Sequence, residues 1–303
     1  MSLHPRGHCG LEAFEALLQD DPWRLRADLH SHSYYSDGLW SPAQLVEFAK
    51  AQGVELFALT DHDSLKGLEE ARALASDFDL AWVSGVEISV SWAGQTVHIV
   101  GVAFDPENPE LNAGLSSIRA QRLARARAID RSLALAGLPG ALDAALDQVK
   151  EPEQITRTHI ARWIAQHCGY SDLREVFARY LTDGKPGGVP QRWVSLRSAI
   201  GWIRAAAGVA VLAHPARYRL NAMMQHCLLE EFREAGGLAI ETACGSHGLR
   251  EVQRFSRLAG QYGLRASAGS DFHAPNESRA SLGSVALIAD SVEPLWSKWP
   301  LKH

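Results

Sequence analysis

Apolar runs of strand length alternate with amphipathic helical stretches along most of this chain. One after another, the apolar runs end in a histidine or a carboxylate. That pattern constrains fold and chemistry together. The first case is Asp28-Leu29-His30-Ser31-His32-Ser33, which follows the alternation Trp23, Leu25, Ala27, Leu29. Residues two apart on a strand point to one side, so His30 and His32 project together, as two imidazoles must to grip one ion. Asp271 and His273, in Gly269-Ser270-Asp271-Phe272-His273, repeat that spacing far down the chain. Between them lie Thr60-Asp61-His62-Asp63, Gly85-Val86-Glu87 and Ala213-His214-Pro215.

The alternation sets the fold class. Strand patterns cover 25–29, 54–59, 81–83, 86–90 and 95–103, the last pairing with its neighbour across Ala93-Gly94. Helices are expected over 41–52, capped by Ser41 with Pro42 in the first turn, and over 64–75. This order implies an α/β fold with a mainly parallel sheet. From residue 109 to 194 the strand pattern disappears. There Leu115, Ile118, Ile129 and Leu133 share one face of a long helix, and further helices follow near 158–167 and 172–180. The rhythm resumes with a helix over 196–207, strands at 209–213 and 238–241, a helix over 249–262 and a strand at 265–268. Residues 109–194 therefore read as a helical insertion in a domain made of 23–108 and 195–303, preceded by an N-terminal extension, 1–22.

Composition narrows the partners. A net charge of −5 gives no basic surface for duplex nucleic acid. Four scattered cysteines without a Cys-x-x-Cys pair argue against a disulfide scaffold or a thiolate zinc site. No stretch approaches the ~20 apolar residues of a membrane span, and the start lacks a leader's apolar core. A cytoplasmic protein that binds no membrane is expected. Neither a Gly-x-Gly-x-x-Gly dinucleotide motif nor a Walker-type phosphate loop occurs.

In parallel α/β folds functional groups gather at the carboxyl ends of strands. By that rule His30, His32, Asp61, His62, Glu87, His214, Glu241, Asp271 and His273 converge. Nitrogen and oxygen donors without sulfur suit manganese, zinc or iron. More than four ligands imply more than one ion, with a carboxylate such as Glu87 as bridge. A water between two ions loses a proton near neutral pH, which is machinery for hydrolysing a phosphate ester. Plainer readings stand beside these. Asp271 is a natural helix cap, Asp63-Ser64 a helix start, and Ser36-Asp37-Gly38 an ideal turn. His98, inside a strand, fits a hydrogen-bonded core histidine. His247, in a loop at a strand end, is either a turn residue or a group that contacts phosphate or protonates a leaving oxygen. Arginines 119, 122, 125, 127 and 131 read as a solvated helix face, with an RNA path as the sharper alternative.

The motifs DLHSHS, SDG, TDHD, GVE, AHP and GSDFH, in this order, resemble the polymerase and histidinol phosphatase (PHP) family. The resemblance implies a distorted seven-stranded (β/α)7 barrel carrying up to three divalent ions, manganese first and zinc or iron otherwise. By motif, His30, His32, Glu87 and Asp271 would hold one ion, and Glu87, His98 and His214 a second. Asp37, His62 and His273 would hold the third, Asp37 standing where some members have histidine. Glu87, Asp271 and His247 are the candidate catalytic groups. Arg157-Thr158-His159, Tyr180-Leu181 and Gly184-Lys185-Pro186 are similar to the branch with an inserted helical domain. Members of that branch resemble 3′,5′-nucleotide bisphosphate phosphatases, some also 5′→3′ exoribonucleases on short single-stranded RNA. The implied reaction is hydroxide attack on the 3′-phosphate of adenosine 3′,5′-bisphosphate, giving AMP and phosphate. Histidinol-phosphate phosphatase and a degenerate PHP scaffold are the alternatives. A second phosphate needs cations outside the metal cluster. Arg157, His159 and Lys185 from the insert, with Arg217, are candidates for that clamp, arginine because its planar fork donates two parallel hydrogen bonds.

Overall fold

The computed structural model describes residues 8–9 and 21–298. Most of the expected extension, 1–22, thus lies outside the described residues, as do His4 and His303. The part described is a short strand, β1 (His8–Cys9), paired antiparallel with Val83 and Trp82. Then come β2 (Ala27–Asp28), α1 (Pro42–Ala51), β3 (Leu56–Leu59) and α2 (Leu68–Asp77). Ser41 caps α1, accepting from the Gln44 N–H while the Gln44 side chain accepts from the Ser41 N–H. β4 (Ala81–Trp92) and β5 (Gln95–Val102) form the expected hairpin, whose loop residues Ala93 and Gly94 both have positive φ.

Helices follow: α3 (Pro109–Leu135), α4 (Ala141–Leu146), α5 (Arg157–Cys168) and α6 (Leu173–Val176), which runs into a wide turn at Phe177–Leu181. The alternation then returns as β6 (Val194–Ser195), α7 (Leu196–Ala205), β7 (Val209–Leu212), α8 (Ala222–Glu234), β8 (Ala239–Cys244), α9 (Leu249–Tyr262) and β9 (Arg265–Gly269).

Seven strands form one curved sheet in the order β2-β3-β4-β5-β7-β8-β9. Its two ends meet where the Leu29 N–H donates to the Ala268 carbonyl at 2.9 Å and the Asp271 N–H to the His30 carbonyl at 2.8 Å. The result is the expected (β/α) barrel. β5 alone among these seven runs against its neighbours, because the two-residue turn before it leaves no room for a helical crossover.

Three details depart from the sequence reading. The strand patterns at 81–83 and 86–90 are one strand. Gly85 does not break it; a Cβ there would lie 2.4 Å from the Leu59 carbonyl oxygen, so β3 packs against bare backbone. The helix expected from Ser64 begins only at Leu68, since Asp63 caps nothing and turns instead toward α3. α8 had no strong signature, because the first of its buried positions 225, 228, 229 and 232 is a glutamine.

The barrel core takes in Phe57, Leu59, Val86, Ile99, Val211 and Ile240. A second hydrophobic cluster holds the helical segment together through Ile129, Leu133, Ile160, Ile164 and Leu181. At ~1.5–3 kcal/mol for each buried aliphatic side chain, that cluster is a substantial core of its own. α3 belongs to both: Leu111, Leu115 and Ile118 enter the barrel core, Ala126, Ile129 and Leu133 the outer one. Among the described residues no helix is long and apolar enough to cross a membrane.

The barrel seam predicts a stability effect. A Cβ on Gly269 would lie 2.3 Å from the His30 Cβ and 2.9 Å from its backbone nitrogen. Gly269→Ala should lower stability by about 1–3 kcal/mol, the usual cost of overpacking, read as a lower urea midpoint. An unchanged midpoint would show that the seam is looser than described.

Candidate metal centre

Strand ends aim the side chains. After β2, His30 and His32 turn into the barrel mouth, both fully buried, their ring centroids 5.1 Å apart. Asp28 pins this stretch to the far end of the chain, accepting from the Ser270 N–H at 2.8 Å and the Gly283 N–H at 2.7 Å. Burial still pushes its carboxyl up to about 6. His62 follows β3, Glu87 lies on β4, His214 follows β7, and Asp271 and His273 follow β9. His98 lies on β5. Because that strand is antiparallel, its first half reaches the rim where the parallel strands end. Asp63, His214 and Asp271 are held in left-handed backbone at φ 51°, 26° and 56°. Strain of this kind gathers at functional sites.

Glu87 is the hub. One carboxylate oxygen lies 2.8 Å from His98 Nδ1, 3.0 Å from His214 Nε2 and 3.3 Å from His30 Nε2. The other lies 2.8 Å from His62 Nδ1 and 3.4 Å from His32 Nε2. Asp271 Oδ1 is 3.2 Å from His32 Nε2 and 3.5 Å from His30 Nε2. Its Oδ2 meets the Arg217 guanidinium. Asp37 Oδ1 is 3.2 Å from His273 Nε2 and 3.8 Å from His62 Nε2. Three groups have donor atoms within 4.8 Å of one another: His30, His32, Glu87 and Asp271; His62, Glu87 and His98; and His32, Asp37, His62 and His273. His214 joins the middle group through Glu87.

Electrostatics fits cations. Burial alone would raise the Glu87, Asp37 and Asp271 carboxyls. The histidines around Glu87, His273 and His62 beside Asp37, and Arg217 beside Asp271 hold all three well below the usual range. Burial and His273 push His32 down to about 3, while burial and Arg217 push His214 down to about 4. His30 Nε2, His32 Nε2, Asp37 Oδ1 and Glu87 Oε2 are buried yet accept or donate no hydrogen bond. Buried polar atoms are normally paired, and convergent nitrogen and oxygen donors of this kind suit divalent ions.

Outer groups hold the donors in place. Glu241 lies 2.6 Å from His30 Nδ1 and accepts from the His214 N–H at 2.5 Å. The contact fixes His30 with Nε2 toward Glu87 and Asp271, the carboxylate–imidazole arrangement common behind metal ligands. Asp61 accepts from the Ser33 N–H at 2.8 Å and from the Ser33 and Ser36 hydroxyls, both at 2.6 Å. It holds the turn that carries Asp37.

Above the cluster opens a cleft of about 1220 Å³, lined by barrel and insert together. Arg157 and Arg217 line it. Lys185 is exposed outside it, in a turn closed by the Gly188 N–H on its carbonyl. His159 is buried instead, its Nδ1 accepting from the Thr156 N–H at 3.0 Å, and so caps α5. Part of the arginine row also faces inward: residues 119, 122 and 125 repeat every third position and share a face, whereas Arg127 and Arg131 are exposed. Arg122 pairs with Asp63, and Arg119 donates to the Asp63 carbonyl at 2.8 Å. Arg122 and Arg125 lie over Trp193, 5.3 and 5.6 Å from its ring centroid. His247 lines the cleft too, its Nδ1 2.9 Å from the Thr242 carbonyl and its Nε2 buried without a partner.

Comparison with known proteins follows the same lines. Residues 28–235 match the PHP domain. A 3′,5′-nucleoside bisphosphate phosphatase from Chromobacterium violaceum is 46% identical over 269 residues, spanning 89% of this chain and 94% of that protein. A 5′-3′ exoribonuclease from Haemophilus influenzae is 39% identical over 272 residues, 90% of this chain and 98% of that one. Among solved structures, an amidohydrolase from C. violaceum with bound sulfate superposes with a TM-score of 0.86 at 46% identity, covering 89% and 94% of the two chains. A putative metal-dependent phosphoesterase from Bifidobacterium adolescentis gives 0.78 at 28%, covering 88% and 93%.

One pH effect follows from these charges. Burial would lower His273, but Asp37 beside it raises it from 6.5 to about 9. In the metal-free protein that proton's contribution to stability is complete below pH 6.5 and is lost as pH climbs through 9. A cation must displace it, so divalent-ion affinity should strengthen from pH 6.5 to 9 with proton release, measured by calorimetry in buffers of different ionisation enthalpy. Affinity that stays flat over this range would contradict the His273–Asp37 pairing.

Proposed function

The chain belongs to the PHP domain family, and we propose that it is a metal-dependent phosphatase removing the 3′-phosphate from nucleoside 3′,5′-bisphosphates, adenosine 3′,5′-bisphosphate giving AMP and phosphate. One observation carries this reading: the cleft holds two separate places for anionic groups. The first is the histidine–carboxylate cluster. The second is the insert's arginine group, where Arg125 donates to the Val189 carbonyl and Arg157 to the Leu181 carbonyl, and among the described residues neither meets a carboxylate at ion-pair distance. Burial and the neighbouring Arg157 push the Arg125 guanidinium down to about 9. Burial and Arg122 lower Arg157 in the same way. Like charges crowded in a half-buried site are relieved by a bound dianion, and arginine forks suit phosphate.

Divalent ions held by His30, His32, Glu87 and Asp271, by Glu87, His98 and His214, and by Asp37, His62 and His273 would supply a water-derived nucleophile and polarise the phosphoryl oxygens. Arg157 and Arg125 hold the non-reacting phosphate, with the helical segment 109–194 as lid. Arg217 keeps Asp271 oriented from the cleft side. His247, stacked on Phe255 at 5.1 Å with Nδ1 on the Thr242 carbonyl, lines the cleft with Nε2 buried. Since burial lowers its pKa, it must take up a second proton before Nε2 can protonate the departing ribose oxygen.

A second reading, 5′→3′ exoribonuclease action on short RNA at the same centre, is favoured by the size of the cleft. It exceeds the ~300–1,000 Å³ of ordinary small-ligand pockets and carries Tyr170, Phe177 and Trp193 as surfaces for bases.

Steady-state kinetics should rank adenosine 3′,5′-bisphosphate above histidinol phosphate by orders of magnitude in kcat/KM; the reverse ranking sinks the substrate assignment. Comparable turnover of 5′-phosphorylated trinucleotides would favour the second reading. His32→Ala and Asp271→Ala should abolish turnover, and a fully active Asp271→Ala protein would remove the metal mechanism. Arg157→Ala should mainly raise KM, by about 10- to 100-fold for the ~1.5–3 kcal/mol of a charge-assisted hydrogen bond, and much less for a 3′-monophosphate.

A further inference from the structure

Asp37 is divided between two structural units. Its carboxylate is almost wholly buried, with Oδ1 facing His273 and His62 and making no hydrogen bond. Its Oδ2 accepts two hydroxyls from the helical segment, Thr158 Oγ1 at 2.8 Å and Thr156 Oγ1 at 3.1 Å. The Asp37 main-chain carbonyl accepts from Arg162 Nη2 at 2.6 Å. Arg162 also forks onto Glu277, at 2.6 to 3.2 Å, in the loop just past His273. All three donors stand at the start of α5 or one turn in, and Thr156 is its N-cap. The helix is twelve residues long, so its N-terminal dipole adds to the attraction for this anion.

We propose that Thr158, with Thr156 and Arg162, positions the cation site made by Asp37, His62 and His273, so that occupancy of this site and seating of α5 on the barrel are coupled. The inference rests on the metal reading of the cluster. A carboxylate rotates freely about its last bond unless its oxygens are engaged. Two hydroxyls on Oδ2 fix the rotation and leave Oδ1 as the donor toward the two imidazoles. Arg162 fixes the other variable, the separation of the loops carrying Asp37 and His273. A cation drawing Asp37, His62 and His273 together presents α5 with a fixed surface, and a seated α5 presents the cation with a formed site. Coupling of this kind is reciprocal. The other donors meet this site only at second hand, Glu87 Oε2 lying 2.8 Å from His62 Nδ1 and Asp271 Oδ1 3.7 Å from His273 Nδ1, so α5 acts on the Asp37 site directly and on the neighbouring sites more weakly.

The test uses full-length protein stripped with chelator and titrated with Mn²⁺. In Thr158→Val one class of bound ion should weaken by about 10- to 100-fold, as when an outer-shell partner is lost, while the other classes weaken less. Hydrogen exchange gives the reciprocal reading: Mn²⁺ should slow the amides of residues 157–168 in the unaltered protein and much less in Thr158→Val. Arg162→Gln should act in the same direction while sparing both threonines. Unchanged affinity for every ion in Thr158→Val overturns the proposal, and so do α5 amides that exchange alike with and without Mn²⁺. The exchange comparison on the unaltered protein decides alone if a variant fails to fold. A protein that binds no Mn²⁺ at any site would sink the metal reading itself, an outcome distinct from bound ions that ignore α5.

Discussion

The structure depends on one fully buried carboxylate, Glu87, ringed by five imidazoles. Taking such a group out of water costs several kcal/mol unless opposite charge and hydrogen bonds replace the lost solvent. Here the compensation comes from His30, His32, His62, His98 and His214, each carried by a different strand or strand end except the first two. Holding five rings at 2.8–3.4 Å from one residue requires a sheet that curves back on itself. A flat sheet would spread the same residues along one edge. The barrel is therefore the geometry that makes the cluster possible, and the cluster in turn fills the barrel mouth with groups that need a cation or protons to coexist.

Electrostatics divides the cleft. On the barrel side, carboxylates are kept ionised by surrounding imidazoles and by Arg217. On the insert side, arginines crowd one another over Trp193. Asp63 neutralises Arg122 and leaves Arg125 and Arg157 with main-chain partners. The two halves meet along α3, whose first part packs in the barrel core and whose second part packs in the outer core. A ligand with one anionic group at each side bridges two cores that one helix already joins.

The ligand-type residues at strand ends were legible because strand period and functional position coincide: His30, His32, His62, His214, Asp271 and His273 all follow apolar runs, whereas Glu87, expected at a strand end, lies in the middle of β4. His98 was legible only by resemblance. A histidine inside a strand carries no signal until the antiparallel direction of β5 brings its first half to the rim. The insert was visible as a loss of strand pattern, but its chemistry was not. His159 looks like a cleft cation in sequence, yet it caps α5, and Lys185 sits in a turn facing solvent. The arginines at 119, 122 and 125 had the spacing of one helix face, and what that face would meet depended on a long-range contact with Asp63. Thr156 and Thr158 show the same limit: a hydroxyl near a helix start reads as a cap, and its distant carboxylate appears only when the barrel is assembled.

The seam of the barrel also orders events in time. Asp28 and Ser270, joined by a hydrogen bond, are 242 residues apart in sequence. His30 and His32 are made well before Asp271 and His273. Pairings this distant form late, because the entropy of closing the loop must be overcome first. A nascent chain thus exposes its paired histidines long before it has Asp271, the carboxylate that lies beside them in the fold. Any ion that the proposed set of donors holds must therefore wait for β9, because Asp271 and His273 follow that strand.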